Sequence, residues 1–412
     1  LGATNCRATG IVSVGLDATV QMNQNASANI VDHCLCIAGR YGVRSTTTSL
    51  AGPYAVDQVI EMNRFEHYGT WQLDPVPGRN DVMPWNFIKS NILRENGVLY
   101  GSATGETNRI ADSAEVTAVA GKGSAKRLVV RKNISLGYFN FATFSHPSYD
   151  RYAGMATDIY ENRVIVAADD AVEPENSNIN FRVWGNRFDN CLSILSFAPV
   201  TYGPVYFMYN ESWRCGGHMT IALAAGTGAT SGGGRHIKIG TGQAPRCKVY
   251  MVHNSFWTDK GQSNNAAGWC NGFSGGAWSG GNNAPEIDLF NNWMRTTRYI
   301  ADYTGNYTYW KEDYNYFVTS EITRGMNYSG THTTSVANYR TQYTIRTGRT
   351  NNNTNTQGDF ITPSVVDSKL VDPTNGDLRW IAGANPFVDV GVAVKGFNIK
   401  SGTRDLGALE RV

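Results

Sequence analysis

The chain has 412 residues, of which 17% are charged, and a formal net charge of +2; roughly 25% charged is usual for soluble domains. No Lys/Arg run offers a partner for a phosphate backbone, and no run of about 18 apolar residues offers a membrane span, so nucleic-acid binding and membrane insertion are not expected. The polar share falls on Asn, Thr, Ser and 44 glycines, residues of turns and bends rather than of exposed helices.

Leu1 opens the chain without a Met, a basic n-region or an apolar h-region, the expectation for a mature product whose leader has gone. Residues 1–20 do not read as an amphipathic helix that would cap a solenoid. Further on, one pattern recurs: an apolar residue, two variable residues, Asn, one variable residue, an apolar residue. It centres on Asn63, Asn91, Asn162, Asn186, Asn210, Asn254, Asn292 and Asn315. Asn162 and Asn186 are 24 residues apart, as are Asn186 and Asn210, and Asn292 and Asn315 are 23 apart. A period near 24 with short apolar segments predicts one coil of a three-sided right-handed parallel β-helix, an all-β solenoid whose coils stack about 4.8 Å apart. Asn162, Asn186 and Asn210 then form a structural ladder of side-chain amides, at a bend whose αL backbone Asn tolerates.

Longer gaps mark loop insertions. Asn210 to Asn254 is 44 residues and Asn254 to Asn292 is 38, and both intervals contain Gly-rich runs. The interval from Asn91 to Asn162 reads as about three coils, with residues 101–125 looping out. The helix is expected over 1–320 and a polar Thr/Asn-rich surface excursion over 321–360. Strands over 361–412 should fold back on the helix or cap it, because Leu370, Trp380 and Phe387 need cover. Cys191 and Cys215 each lie five residues past a ladder asparagine. They should therefore stack within disulfide reach, and a bond between them is predicted. Cys247 and Cys270 are 23 apart and could stack likewise. Seven cysteines leave at least one free or paired between chains.

The run from Ala168-Asp-Asp-Ala-Val-Glu-Pro174 through Asn178-Ile-Asn-Phe-Arg-Val-Trp-Gly-Asn186-Arg-Phe188, continuing to Tyr206, resembles the right-handed parallel β-helix proteins of the pectin-lyase-like superfamily. The C-terminal Asp405-Leu-Gly-Ala-Leu-Glu410, with Asn385-Pro-Phe-Val-Asp389, resembles the segment that follows such helices. The resemblance is firm over about residues 155–215 and 370–412. It implies the fold, an extracellular or surface setting and contact with carbohydrate. It does not imply one reaction, because that superfamily includes lyases, hydrolases, epimerases, tailspikes, adhesins and fibres.

The sharpest acidic group is Asp169, Asp170, Glu173 and Glu175. Counted from the ladder, Asp169 aligns with Ser193 and Asp170 with Ile194 and His218. Asp169 and Asp170 could bind Ca²⁺ through hard oxygen ligands. Asp169, Asp170 and Glu173 could instead serve as the acid and base of glycoside hydrolysis, or the acids could simply cap a turn. The placement is similar to that of the carboxylates of polygalacturonase-type hydrolases, but the flanking glycine and lysine motifs are absent. His218 could act as a base in β-elimination, with Arg187 or Arg214 neutralising a uronate carboxylate. His146, Tyr149, Arg151 and Tyr152 form a second possible set. Trp257, Trp269, Phe273 and Trp278 lie in or beside a Gly-rich stretch, where flat rings could stack on sugars or pack the loop onto the helix.

Two function classes follow. One is an extracellular polysaccharide lyase or glycoside hydrolase acting on acidic glycan. The other is a non-catalytic structural or adhesive β-helix, a surface filament, sheath fibre or virion spike, which would assemble as a homo-oligomer or end to end. A polysaccharide or glycan partner is common to both.

Overall fold

A computed structural model describes residues 4–45, 55–66, 94–99, 117–144, 154–215, 234–239, 247–258, 270–275, 286–303, 311–319, 326–333 and 367–381, apart from breaks of one to three residues. Short strands alternate with sharp bends along these stretches. In Phe181–Trp184, Phe181 and Val183 are buried while Arg182 and Trp184 are half-buried. This period of two gives each strand one face for the interior and one for the outside.

The strands stack into three long sheets in sequence order. The first runs from Arg7–Thr9 to Lys311–Asp313, the second from Val12–Val14 to Tyr316–Thr319, and the third from Ala18–Met22 to Thr331–Thr333. All pairings within them are parallel except the last, between Met326–Tyr328 and Thr331–Thr333. Each coil contributes one strand to each sheet, so the chain is the right-handed parallel β-helix expected from the period. A short fourth sheet, from Ala55–Val56 to Asn178–Ile179, lines the bend before the first. Inside, Phe188 stacks on Phe207 and Phe207 meets Phe256 at a tilt, each pair with centroids 6.3 Å apart.

The bend between the first and second sheets carries the ladder. Asn63, Asn133, Asn162, Asn186, Asn210, Asn254, Asn292 and Asn315 follow one another along the axis. Each asparagine's backbone N–H and side-chain amide both donate to Oδ1 of the next, at 2.9 to 3.1 Å. The amide nitrogen also donates to a carbonyl of the preceding coil, as Asn186 does to Ile159. All eight are buried, so a polar group that would be expensive inside is fully used. Cys34 holds the place one coil earlier, its N–H donating to Asn63 Oδ1 at 3.0 Å.

Three expectations need correction. First, the αL residue is not the ladder asparagine but the one before it. His33, Met62, Lys132, Glu161, Gly185, Tyr209, His253 and Asn291 all have φ between 52° and 62°. The turn is made one residue early, which leaves the asparagine to aim its amide along the axis. Second, Asn63 bonds directly to Asn133 and Val59–Glu61 pairs directly with Val129–Arg131. Residues 67–116 are therefore one insertion between a strand of the second sheet and Thr117–Ala120 of the third. No coil stands between that of Asn63 and that of Asn133; Asn91 itself lies outside the described residues.

Third, Cys191 and Cys215 stack as expected, but no disulfide joins them in the structure. Cys191 N–H donates to Cys215 Sγ at 3.3 Å, and Cys215 Sγ contacts the Phe188 carbonyl at 3.3 Å. The Cys191 N–H bond to Cys215 Sγ repeats the backbone bond of the asparagine ladder. Cys247 is buried and without a disulfide too, and burial pushes its ionisation far up.

Near the C-terminus, Leu370–Asp372 and Asp377–Trp380 pair antiparallel around a one-turn 3₁₀ segment, Pro373–Asn375. This hairpin lies on the outer face of the second sheet. Trp213 Nε1 donates to the Pro373 carbonyl at 2.8 Å and Arg187 Nη2 to the Gly376 carbonyl at 2.7 Å. Asp367 receives Trp257 Nε1 at 2.9 Å and Arg295 Nη2 at 2.7 Å. Leu370 and Leu378 complete a second apolar cluster with Trp257, Trp293, Tyr316 and Val318.

Candidate functional site: a carboxylate cluster on the third sheet

The insertions are not spread evenly. Residues 67–116, 216–233 and 259–269 each join the second sheet to the third, and residues 240–246 and 276–285 each join the third back to the first. The third sheet is thus bordered on both sides by lengthened connections, where binding groups concentrate in solenoids.

On that sheet, Asp170–Glu173 lies between Asn140–Thr143 and Ser193–Phe197. Val172 pairs laterally with Ala142 and Leu195, and Pro174, which has no N–H for a ladder, follows the strand. Asn140 Oδ1 accepts the Asp170 N–H at 3.1 Å, while Asn140 Nδ2 and Thr143 Oγ1 each donate to Glu173 Oε2 at 3.0 Å. Ser196 Oγ donates to Glu175 Oε1 at 2.6 Å, and Lys238 Nζ donates to Asp170 Oδ2 at 2.8 Å. The Asp170 side chain is fully enclosed, whereas that of Lys238 is 24% exposed; Glu173 and Glu175 are half-buried. One carboxylate oxygen from each of Asp170, Glu173 and Glu175 lies within 4.8 Å of the others.

The structure therefore brings Asp170 and Glu173 together with Glu175 and adds Lys238, Asn140, Thr143 and Ser196. Asp170 pairs laterally with Ser193, one residue away from the Ile194 expected by counting from the ladder. The count from the asparagine ignores the bend between the second and third sheets, which is one residue longer in one coil than in the next. Lys238 was invisible to sequence reasoning because the long connection at 216–233 hides its register with Ser196. Asp169, His218, Trp269 and Trp278, and also His146, Tyr149, Arg151 and Tyr152, lie outside the described residues. Phe273 belongs to the strand Cys270–Gly275 of the third sheet.

Other candidates are used elsewhere. Trp257 is buried beneath the C-terminal hairpin, so the expectation that it stacks on sugar is corrected. Arg187 bonds Asp189 and Glu211 besides Gly376, and the Arg214 guanidinium lies 4.6 Å over the Trp213 ring. Arg187 stands on the second sheet and Arg214 at the bend just after it, and no bond joins either to the carboxylate cluster among the described residues. A group of aromatics that the sequence reading missed stands on the outer face of the first sheet. There Tyr160 stacks on Trp184 at 4.2 Å and Tyr206 on Tyr250 at 5.1 Å. Their faces are turned to one another along the axis, which is a packing device between coils.

No protein-family model, no curated protein and no solved structure matches the chain.

Proposed function

We propose that the protein is an exported, glycan-active β-helix that cleaves acidic polysaccharide by β-elimination. The observation that carries this reading is a partly exposed ammonium, Lys238, on the buried Asp170 carboxylate, which stands beside the half-buried Glu173 and Glu175 on the sheet bordered by the long connections. Elimination needs a cation on the uronate carboxylate to acidify the C5 proton, and a base within reach of that proton. Lys238 supplies the first. Glu173 or Glu175 supplies the second, taking the C5 proton as C4=C5 forms and the C4–O bond breaks, and water protonates the departing oxygen of the leaving chain.

Hydrolysis fits less well. Asp170 is enclosed and held by Lys238, so it is not free to serve as the acid or the nucleophile of a hydrolase. The test is incubation with a panel of polyuronates, following the ultraviolet absorbance of new unsaturated ends. Activity that collapses in Lys238→Met supports the reading. No unsaturated ends from any polymer, or equal rates for wild type and Lys238→Met, would sink it.

A second reading, a non-catalytic fibre or adhesive subunit, is favoured by the first coil, where Val12, Val14 and Leu16 stand 68%, 49% and 50% exposed. Apolar groups gathered in this way suit a protein–protein contact. Regular fibres in electron micrographs of purified protein would favour it; uniformly dispersed particles would count against it.

A further inference from the structure

All seven exposed large apolar side chains among the described residues stand on one side of the rod. Val12, Val14 and Ile134 point out from the second sheet, Met62 lies at the bend that enters it, and Leu16 at the bend that leaves it. Val371 and Ile381 belong to the C-terminal hairpin, which covers the same face. Exposed apolar residues scattered singly are ordinary, but a set gathered on one side marks a contact surface.

The hairpin divides this face in two. The second sheet has ten strands. Among the described residues, the hairpin's bonds and apolar contacts fall on the last five, from Arg187 and Trp213 through Trp257 to Trp293 and Tyr316. The first five, from Val12–Val14 to Arg163–Ala167, form a step beside this ridge. On the step, Val12 and Val14 pair laterally with Leu35 and Ile37, and Ile134 and Leu136 hold the same two rows further on. The charges between them are matched within the chain, since Arg64 bonds Glu66 and Arg163 bonds Asp189. On the ridge, Leu370 and Leu378 face the sheet, so alternation turns Val371 and Arg379 away from it. Arg379 bonds Asp377.

We infer that two copies of the chain pack side by side on this face, antiparallel, with the hairpin of each seated on the first five coils of the other. Shape argues for it. A layer packed on a sheet stands about 10 Å above it, so a ridge over five coils next to a step of five coils is filled by its own two-fold copy. The two hairpins then lie end to end as one layer between two sheets. A parallel pair would set ridge on ridge and leave the steps apart. Five coils span about 24 Å and a strand with its side chains is about 12 Å wide. Step and ridge together would bury about 600 Å² on each partner, and the total of about 1,200 Å² lies at the lower end of specific interfaces. The pair should therefore be reversible, with an affinity in the micromolar range. A two-fold contact closes on itself and gives dimers, not fibres, so the inference rests on neither functional reading above.

The test is sedimentation velocity of the full chain from about 1 to about 100 µM, a range that brackets a micromolar pair. Wild type is compared with Val14→Glu, which alters the step, with Val371→Lys, which alters the ridge, and with an equimolar mixture of the two variants. Both side chains are exposed in the single chain, and circular dichroism with thermal melting checks the fold of each variant. Wild type should pass from monomer to dimer across the range. Each variant alone should raise the midpoint by about tenfold or more, since it leaves a charge unpaired in the contact. The mixture should dimerise again, because the new carboxylate of one variant meets the new ammonium of the other while the second contact is unaltered. Monomer throughout in wild type would overturn the inference, as would a dimer indifferent to either variant, a mixture that stays monomeric, or assembly that grows past the dimer.

Discussion

Asn186 Oδ1 takes two hydrogen bonds from the preceding coil, one from the backbone N–H of Asn162 at 3.0 Å and one from its side-chain amide at 2.9 Å. Replacing Asn186 by Ala removes the acceptor of the Asn162 backbone N–H and one acceptor of its side-chain amide, which keeps the Val130 and Tyr160 carbonyls, and leaves the Ile159 carbonyl without the amide that reaches it. Each orphaned buried group costs about 1–3 kcal/mol. Asn186→Ala should therefore lower the free energy of unfolding in urea by about 3 kcal/mol. Asn186→Asp should be worse, since it buries a charge and loses the donor. A double-mutant cycle with Asn162→Ala should show strong coupling.

The αL bend predicts changes of opposite sign at two equivalent positions. Met62 has φ 54° and is 43% exposed, so its side chain adds little while its Cβ strains the backbone by about 1–2 kcal/mol. Met62→Gly should stabilise the protein by about 0.5–1 kcal/mol after the entropy of glycine is deducted. Gly185 holds the same place with φ 62°, and an added Cβ would meet nothing within 4 Å. Gly185→Ala should cost about 1 kcal/mol through the backbone alone. Thermal melts of the two variants should move in opposite directions.

His236 is wholly buried among Ser212, Thr258 and Phe256. Burial lowers its pKa from 6.5 to about 3, so the folded protein keeps it neutral while the unfolded chain takes up a proton below about 6.5. Its contribution is complete above the unfolded value and drains away as pH falls toward 3. Between pH 6 and 4 stability should decline by about 1.4 kcal/mol per pH unit from this group. His236→Gln should remove that slope, as followed by denaturation at several pH values.

The C-terminal hairpin is seated through Gly376, where a Cβ would come 2.8 Å from Arg187 Nη2 at a φ of 88°. Gly376→Ala should loosen the hairpin without unfolding the coils. Faster protease cleavage near residue 376 and a red shift of tryptophan emission should report it, with the main melting transition little changed.

The ladder and the coil were legible because asparagine at a fixed bend every 24 residues is a local and repeated requirement. The site was legible only in part. Asp170, Glu173 and Glu175 stood out as neighbours in sequence, but Lys238 joins them from 68 residues away across a connection of arbitrary length. Spacing gives the height of Cys191 and Cys215 on the stack and not whether their sulfurs are bonded. Trp257 was misread because a Gly-rich neighbourhood says nothing about a hairpin arriving more than 100 residues later.

The direct bond from Asn63 to Asn133 spans 70 residues, whereas most ladder neighbours are 23 to 44 apart. In a solenoid whose cooperativity passes only from neighbour to neighbour, closing a loop of that length costs about 1 kcal/mol more than closing one of 24. The junction is the seam of the rod. Folding that nucleates among the later coils should pause there before zippering toward residue 4, and a rod pulled from its ends should part there first.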